Sequence, residues 1–296
     1  VTDKDLADDA ASDQSNIIRI KERNYFFRMS AYQEWLIETI KQNPGFIQPD
    51  FRRNETLGFL RKPLQDLCVS RPKSRLSWGV ELPFDTDFVT YVWFDALVNY
   101  ISAIGYRRDD EKCNRWWPAT VHLIGKDILT THTVYWPTML KAMGVALPKS
   151  VFAHGWWLSG RSKMSKSVGN VVDPMDYIDQ YGVDAFRYFL MAEMVLGQDA
   201  DFTKETFTRR YNTDLANDLG NLLNRVITLV VSHCEGRIPA SGDGGDDEAR
   251  LREVALSLAP AVEQSIQKMR LDEGLAAISA AFRETNRYLE KRQPWT

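Results

Sequence analysis

Apolar positions along the chain change their period more than once, and each change predicts a different kind of structure. Residues 1–15 are polar and acidic and read as a loop or frayed end. From Asn16 to Glu22, the residues Ile17, Ile18 and Ile20 suggest a short strand. Over 26–42 the apolar residues Phe27, Ala31, Trp35, Ile37 and Ile40 fall near helical spacing, and Asn43-Pro44-Gly45 ends that helix. A second short helix is predicted over 51–61, before Pro63.

From about Leu67 the pattern changes. Thr90-Tyr91-Val92-Trp93-Phe94, Thr120-Val121-His122-Leu123-Ile124 and Ser150-Val151-Phe152-Ala153-His154 are β-branched and aromatic runs that read as strands. Helices over 96–104 and 127–143 separate them, the second kinked at Pro137. Strand, helix, strand, helix, strand predicts a parallel α/β sheet with right-handed crossovers. A basic loop follows Leu158, then short helices over 174–181 and 183–194. Beyond Phe207 the pattern is helical throughout: 208–234, 246–269 and 272–292, with the Gly- and Asp-rich stretch 241–247 as a turn between antiparallel helices.

Composition narrows the classes. A chain of 296 residues suits two or three domains, and 44% apolar with 26% charged residues is globular, not disordered. The longest apolar runs, such as 226–231, fall far short of a bilayer span, so no membrane partner is expected. Lys and Arg total 37 against 40 Asp and Glu, a net charge of -3. That excludes binding nucleic acid by bulk positive charge but leaves room for a local patch. Cys68, Cys113 and Cys234 are widely spaced without C-x-x-C, which argues against a disulfide framework or a structural zinc and suits a cytoplasmic setting. The N-terminus has neither a basic nor an apolar signal region and no initiator Met, so the chain is expected to begin inside something longer.

The strongest chemical signal is Gly160-Arg161-Ser162-Lys163-Met164-Ser165-Lys166-Ser167-Val168-Gly169-Asn170. Its three basic side chains have no acidic neighbour, and small residues between them allow close approach to a polyanion. Two ammonium groups three residues apart can clamp the oxygens of a triphosphate. A solvated basic loop is the bland alternative. Asp127 and Asp95 each precede a predicted helix and could be helix caps. Trp93, Tyr100, His132 and Trp136, with Ala96, Leu97 and Ile128, could line a pocket or simply fill a core, and His122 could be a satisfied core histidine. Asn221 and Arg225 share one face of a helix, and Trp295 offers a stacking surface; together they suit splayed single-stranded bases or ordinary packing.

Lys163-Met164-Ser165-Lys166-Ser167 matches the KMSKS signature of class I aminoacyl-tRNA synthetases. Tyr91-Val92-Trp93-Phe94-Asp95-Ala96-Leu97, the stretch His122–Ile128 with His132 and Trp136, Phe152–Trp157, Asn221–Arg225 and Pro294-Trp295 resemble, in order, pieces of the methionyl-tRNA synthetases. The resemblance implies the second half of a Rossmann-like class I nucleotide-binding sheet followed by an all-α anticodon-binding bundle. It divides the chain into 1–66, the tail of a connective insertion; 67–158, the half-sheet; 159–206, the signature loop and stem-contact region; and 207–296, an incomplete bundle. It implies ATP-dependent activation of L-methionine and transfer to tRNA(Met), with Mg2+ accompanying ATP. Lys166 and Lys163 would act on the transferring phosphoryl group. Gly125, His154, Gly155, Met164 and Ser165 would lie with the lysines along ATP. Trp93, Ala96, Leu97, Tyr100, Asp127, Ile128, His132, Trp136 and Arg71 would hold methionine. Asn221, Arg225 and Trp295 would face the anticodon.

Two departures stand out. Thr131 occupies a position where that family often has a large aromatic. The HIGH signature is absent, so the segment is expected to hold half of an active site, to need the HIGH-containing half as partner, and to be inactive alone. Alternatives are a class I synthetase for leucine or valine, a catalytically incomplete tRNA-binding fragment, or a small-molecule nucleotidyltransferase, which should lack the long helical bundle.

Overall fold

The structure, a computed structural model, describes residues 22–167, 169–240 and 242–295. The strand expected from Asn16 therefore lies, up to Lys21, outside the described residues. Contacts divide the chain into two units: Val1–Lys41, Leu57–Pro118 and Val134–Leu147 form one, and Gln42–Thr56, Ala119–Thr133 and Pro148–Thr296 form the other.

In the first unit, Phe26–Phe27 pairs antiparallel with Leu67–Cys68. A separate antiparallel sheet runs in the order Ser70–Pro72, Asp85–Thr90, Glu81–Leu82. Here the expected strand over 90–94 is corrected. Its pairing ends where Thr90 faces Ser70. The next amide, Tyr91 N–H, bonds Val69 O at 2.8 Å, and Asp95 N–H already bonds back to Tyr91 O at 3.1 Å. The residues beyond Tyr91 become the helix Val92–Ser102, which buries Leu97 and Ile101. Those two pack with Trp136, Met139 and Leu140 of the helix Trp136–Met143. Burial of that apolar stripe outweighs the strand propensity of the aromatic run. The helix Gln33–Gln42 buries Leu36 and Ile40. Gln33 stitches the loop over 60–64, donating to Leu60 O (2.8 Å) and Lys62 O (2.9 Å) while accepting from Leu64 N–H (2.8 Å).

Pro137 sits in the first turn of the helix Trp136–Met143, directly after a π-type stretch, Thr131–Tyr135. The irregularity expected there is thus a widened turn before the proline, which lacks a donor. Thr138 Oγ1 donates to Val134 O at 2.9 Å and Tyr135 O at 2.8 Å, supplying hydrogen bonds near the break.

In the second unit the parallel sheet is real but differently assembled. Its order is Ile47–Gln48, Val151–His154, His122–Gly125, with Gly125 level with His154. The expected strand over 90–94 has no place in it, and Ile47–Gln48, two residues long, takes the vacancy. A second sheet pairs Trp157–Ser159 antiparallel with Ser162–Lys163 and parallel with Ala200–Asp201. Asp173 caps the helix Pro174–Tyr181 by accepting from Met175 N–H at 2.9 Å. This helix and Val183–Glu193 contribute to an aromatic core of Phe186, Phe189, Phe202 and Phe207, ringed by Trp157, Tyr177 and Tyr181. Edge-to-face geometry recurs there: Tyr177–Phe202 and Phe189–Phe202 centroids are each 4.9 Å apart. The C-terminal region is helical: Lys204–Arg210, a π-type stretch Tyr211–Gly220, then Asn221–His233, Asp246–Gln267 and Leu271–Arg292. Among the described residues no helix is long and apolar enough to cross a membrane.

Phe189 is 1% exposed in that aromatic core, whereas Leu256 is 70% exposed. Phe189→Ala should cost about 3–5 kcal/mol of unfolding free energy and Leu256→Ala less than about 0.5 kcal/mol, read by urea titration of the two variants against the parent.

Candidate functional site

The second unit gathers its candidate groups where the strand Val151–His154 ends. Gly155 follows that strand. A side chain there would place its Cβ 2.1 Å from Gln198 O and 2.6 Å from Asp199 N. The close approach Gly155 permits is therefore to the chain's own backbone. Trp156 N–H donates to Asp199 Oδ1 at 2.9 Å, and Ala200 N–H donates to Trp156 O at 3.0 Å. Asp199 Oδ2 receives Lys126 Nζ at 2.6 Å. That ammonium, seconded by the Trp156 amide, holds the Asp199 carboxyl below the usual carboxylate range.

Around the Trp156 ring sit Lys126 Nζ, 4.2 Å from the centroid, and Lys163 Nζ, 4.1 Å from it. The indole N–H reaches Asp127 Oδ1 at 3.4 Å. Asp127 is exposed and lies inside the short helical turn Lys126–Ile128, whose cap is Gly125. It is therefore not the helix cap. Nor is Asp95, which lies in the first turn of a helix capped by Tyr91. Gly125 gives the Asp127 carboxylate room: a Cβ there would meet Asp127 Oδ1 at 2.6 Å. His154 Nδ1 donates to Gly155 O at 2.7 Å.

The basic loop hangs from a hairpin. Ser159 and Ser162 pair, and the two residues between them, Gly160 and Arg161, have φ of 58° and 65°. That is the left-handed geometry a two-residue hairpin needs, and Gly160 adopts it without strain. Arg161 N–H donates to Asp201 Oδ1 at 3.2 Å. Past Lys163 the loop closes on Asn170, whose Oδ1 accepts from Ser165 N–H (2.8 Å) and whose Nδ2 donates to Lys163 O (3.1 Å). Ser165 and Ser167 hydroxyls lie 2.7 Å apart. Met164 packs against the aromatic core, so the loop is rooted there. Lys166 is exposed and has no ion-pair partner among the described residues.

In the same unit, His122 and His132 meet edge to face with centroids 6.4 Å apart. They are 5% and 3% exposed. Burial, then the neighbouring imidazole, pushes His122 down to about 4. Burial also pushes His132 down, against the opposing pull of its bond to Ile128 O at 3.0 Å. His132 is thus a neutral, buried ring. Ile128 is half-buried, and Thr131 is buried within the π-type stretch.

In the first unit, Trp93, Ala96, Leu97 and Tyr100 stand at positions i, i+3, i+4 and i+7 of the helix Val92–Ser102 and so share one face. Leu97 packs on Trp136, and the Tyr100 ring lies 6.0 Å from that of Trp136. Trp117 closes Trp136 from another side at 6.2 Å and donates its indole N–H to Ala146 O at 2.8 Å. Arg71 stacks over Tyr91 at 4.3 Å, donating to Ser70 O at 2.8 Å. In the helical region, Arg225 lies 5.2 Å from the Trp295 ring, donates to Asn286 Oδ1 at 3.4 Å, and faces Glu290 at 3.7 Å. Trp295 is 45% exposed, and Asn221 is exposed one turn before Arg225.

The profile described as tRNA synthetases class I (M) matches residues 1–227. The chain belongs to that family. A methionine–tRNA ligase of Halalkalibacterium halodurans is 48% identical over 280 residues, 94% of this chain and 42% of the relative. One from Caldanaerobacter subterraneus subsp. tengcongensis is 45% identical over 296 residues, 99% of this chain and 46% of the relative. The chain thus spans less than half the length of these relatives. Among solved structures, Mycobacterium tuberculosis methionyl-tRNA synthetase bound by methionyl-adenylate superposes with a TM-score of 0.88 at 42% identity, covering 93% of this chain and 54% of that one. The class I synthetase fold, with mixed sheets and a helical C-terminal region, is accordingly that of this chain.

The sequence does not single out Trp156, Lys126, Asp199, Asn170 or Trp117 of this class I (M) segment. Asn170 was visible at the end of the signature run, and its side-chain amide was the available hint. Asp199 and Trp117 act through partners far along the chain, and no local pattern marks them. Among the described residues no group of three or more His, Cys, Asp or Glu is placed to hold a metal ion.

Gly155→Ala must force two backbone segments apart, so it should cost about 3 kcal/mol; urea unfolding equal to the parent would refute the contact. His122, neutral when folded, leaves the unfolded state binding more protons as pH falls from about 6.5. Its stability loss builds between that pH and about 4 and is complete below. His122→Gln should therefore reduce the acid loss by about 1–2 kcal/mol after allowance for solvent screening, measured as unfolding free energy at pH 7 and pH 4.5.

Proposed function

We propose that this chain carries the signature-loop portion of a methionine–tRNA ligase, an enzyme that activates L-methionine with ATP and transfers it to tRNA(Met). The activity is that of the whole protein, of which the chain spans part. In the first step a methionine carboxylate oxygen attacks the α-phosphorus of ATP. The bond to pyrophosphate breaks, and methionyl adenylate forms. In the second, a hydroxyl of the terminal adenosine attacks the activated carbonyl, and AMP leaves. The chemistry of the first step calls for positioning and charge neutralisation rather than a protein nucleophile.

The observation that carries the reading is the loop itself. Lys163 and Lys166 sit on a hairpin-rooted segment clamped by Asn170, and no carboxylate pairs with either among the described residues. Such a pair suits the oxygens of a triphosphate. Lys166 would neutralise the transferring phosphoryl group and Lys163 assist. Gly125, His154, Gly155, Met164 and Ser165 would border ATP. Mg2+ would travel on phosphate oxygens, in keeping with a basic loop rather than a carboxylate cage.

For methionine, the first unit offers Trp93, Ala96, Leu97, Tyr100 and Trp136, apolar and aromatic groups that suit a thioether, with Arg71 stacked on Tyr91 at the start of that helix. The second unit offers the exposed Asp127 carboxylate for the substrate ammonium, with Ile128 and His132. Arg225 against Trp295, with Asn221 one turn away, suits single-stranded bases such as an anticodon. The division into 1–66, 67–158, 159–206 and 207–296 follows from this reading, as does a cytoplasmic setting, which suits three free cysteines.

In the full-length protein, Lys166→Ala should lower kcat of methionine-dependent ATP–pyrophosphate exchange by 10²-fold or more, on the order expected for a group stabilising developing charge, with methionine KM changed less than about threefold. A rise in KM with kcat intact would reduce Lys166 to a binding group.

A further inference from the structure

The motif accounts for the lysines of the signature loop but not for what they rest on. Lys126 and Lys163 both lie against the ring of Trp156, at 4.2 and 4.1 Å from its centroid. Their circumstances differ. Lys126 is neutralised by Asp199 at 2.6 Å. Lys163 has no carboxylate partner among the described residues, and the indole is the group that faces its ammonium. Trp156 itself is held rigidly. Its N–H is bound by Asp199 and its carbonyl by Ala200 N–H, and Gly155 before it is wedged against Gln198 and Asp199.

We propose that Trp156 is a positioning residue whose ring holds the Lys163 ammonium ready for the triphosphate of ATP. This rests on the function proposed above. A π face attracts a cation without being an anion. It therefore keeps Lys163 charged and in place while adding no negative charge that would repel the incoming phosphates. A carboxylate at the same spot would bind the ammonium more tightly and compete with the substrate. The ring holds Lys163 where its ammonium N–H groups can reach phosphate oxygens with the π contact kept, so the contact adds to ATP binding.

The test is a mutant cycle in the full-length protein, read as the Kd of ATP by calorimetry. Trp156→Leu should weaken ATP binding about three- to fivefold, the range of an exposed cation–π contact. Trp156→Phe keeps an aromatic face and should restore binding to within about twofold of the parent. On a Lys163→Ala background Trp156→Leu should have no further effect, because the interaction it removes is already gone. Equal losses in the Leu and Phe variants, or additive losses on the Lys163→Ala background, overturn the proposal. Trp156→Met makes the same comparison if Trp156→Leu does not fold. Methionine-dependent ATP–pyrophosphate exchange is measured on the parent in parallel. A parent that binds ATP without such exchange overturns the proposed function, whereas additivity in the cycle overturns the role of Trp156 alone.

Discussion

The backbone of Gly155 lies against that of Gln198 and Asp199 with no room for a Cβ between them. The chemistry gathered in the second unit depends on that contact. It brings the end of a parallel strand to a turn more than forty positions later in the chain. At that distance Asp199 can take the amide of Trp156 with one oxygen and the ammonium of Lys126 with the other. Each hydrogen bond contributes only about 0.5–1.5 kcal/mol, somewhat more where one partner is charged. Their value here is positional. They fix the plane on which the signature lysine rests, and they do so from backbone and carboxylate atoms that the loop itself does not supply.

Charge in this region is distributed unevenly, and the unevenness has a consequence. Of the two ammonium groups on the Trp156 ring, one is matched by a carboxylate and the other, among the described residues, is not. Asp199 is held ionised by its partners, so its negative charge is spent on Lys126. Asp127 remains exposed, touched by the indole N–H at a long 3.4 Å. The arrangement separates a structural ion pair, Lys126 with Asp199, from Lys163, which has no carboxylate partner among the described residues, and from the exposed carboxylate of Asp127. Ion pairs already satisfied exert little pull on an incoming ligand, while uncompensated groups exert most of it. The local balance matters more than the net charge of -3, which is compatible with a strongly cationic loop.

What could be read from the sequence follows the range of the forces. The helix Pro174–Tyr181 is legible to the residue, because Asp173 caps it, Pro174 opens it and Gly182 closes it, all within one short window. The start of the helix Asp246–Gln267 is legible for the same reason, with Gly245 at its cap and Asp246, Asp247 and Glu248 in its first turn. The strand Ile47–Gln48 is not: two residues have no period, and they become a strand because Val151–His154 lies beside them. Asp199 and Trp117 fail for the same cause, each defined by a partner supplied from elsewhere. The signature loop was legible as a mark of the family, from its spacing of lysines and its resemblance. Its anchor on Asn170 and its seat on Trp156 were not.

The stretch 90–97 shows how a wrong local assignment can leave the candidate residues intact. Read as a strand, Trp93 and Phe94 point to opposite sides, and no common face unites Trp93 with Ala96, Leu97 and Tyr100. On the observed helix those four form one stripe. The stripe is graded: Leu97 is buried on Trp136, and Tyr100 is 38% exposed beside the same ring. A helix anchored by Leu97 and Ile101 in the core holds neighbouring side chains of the same face more stiffly than the end of an antiparallel strand could. The aromatic run has strand propensity because large flat side chains suit a pleated surface. Here the same bulk serves a helix, since fully burying Leu97, Ile101 and Trp136 releases about 1.5–3 kcal/mol per large side chain, against a propensity difference of a few tenths per residue. Packing decides the element, and the element then decides which residues can stand together as a wall.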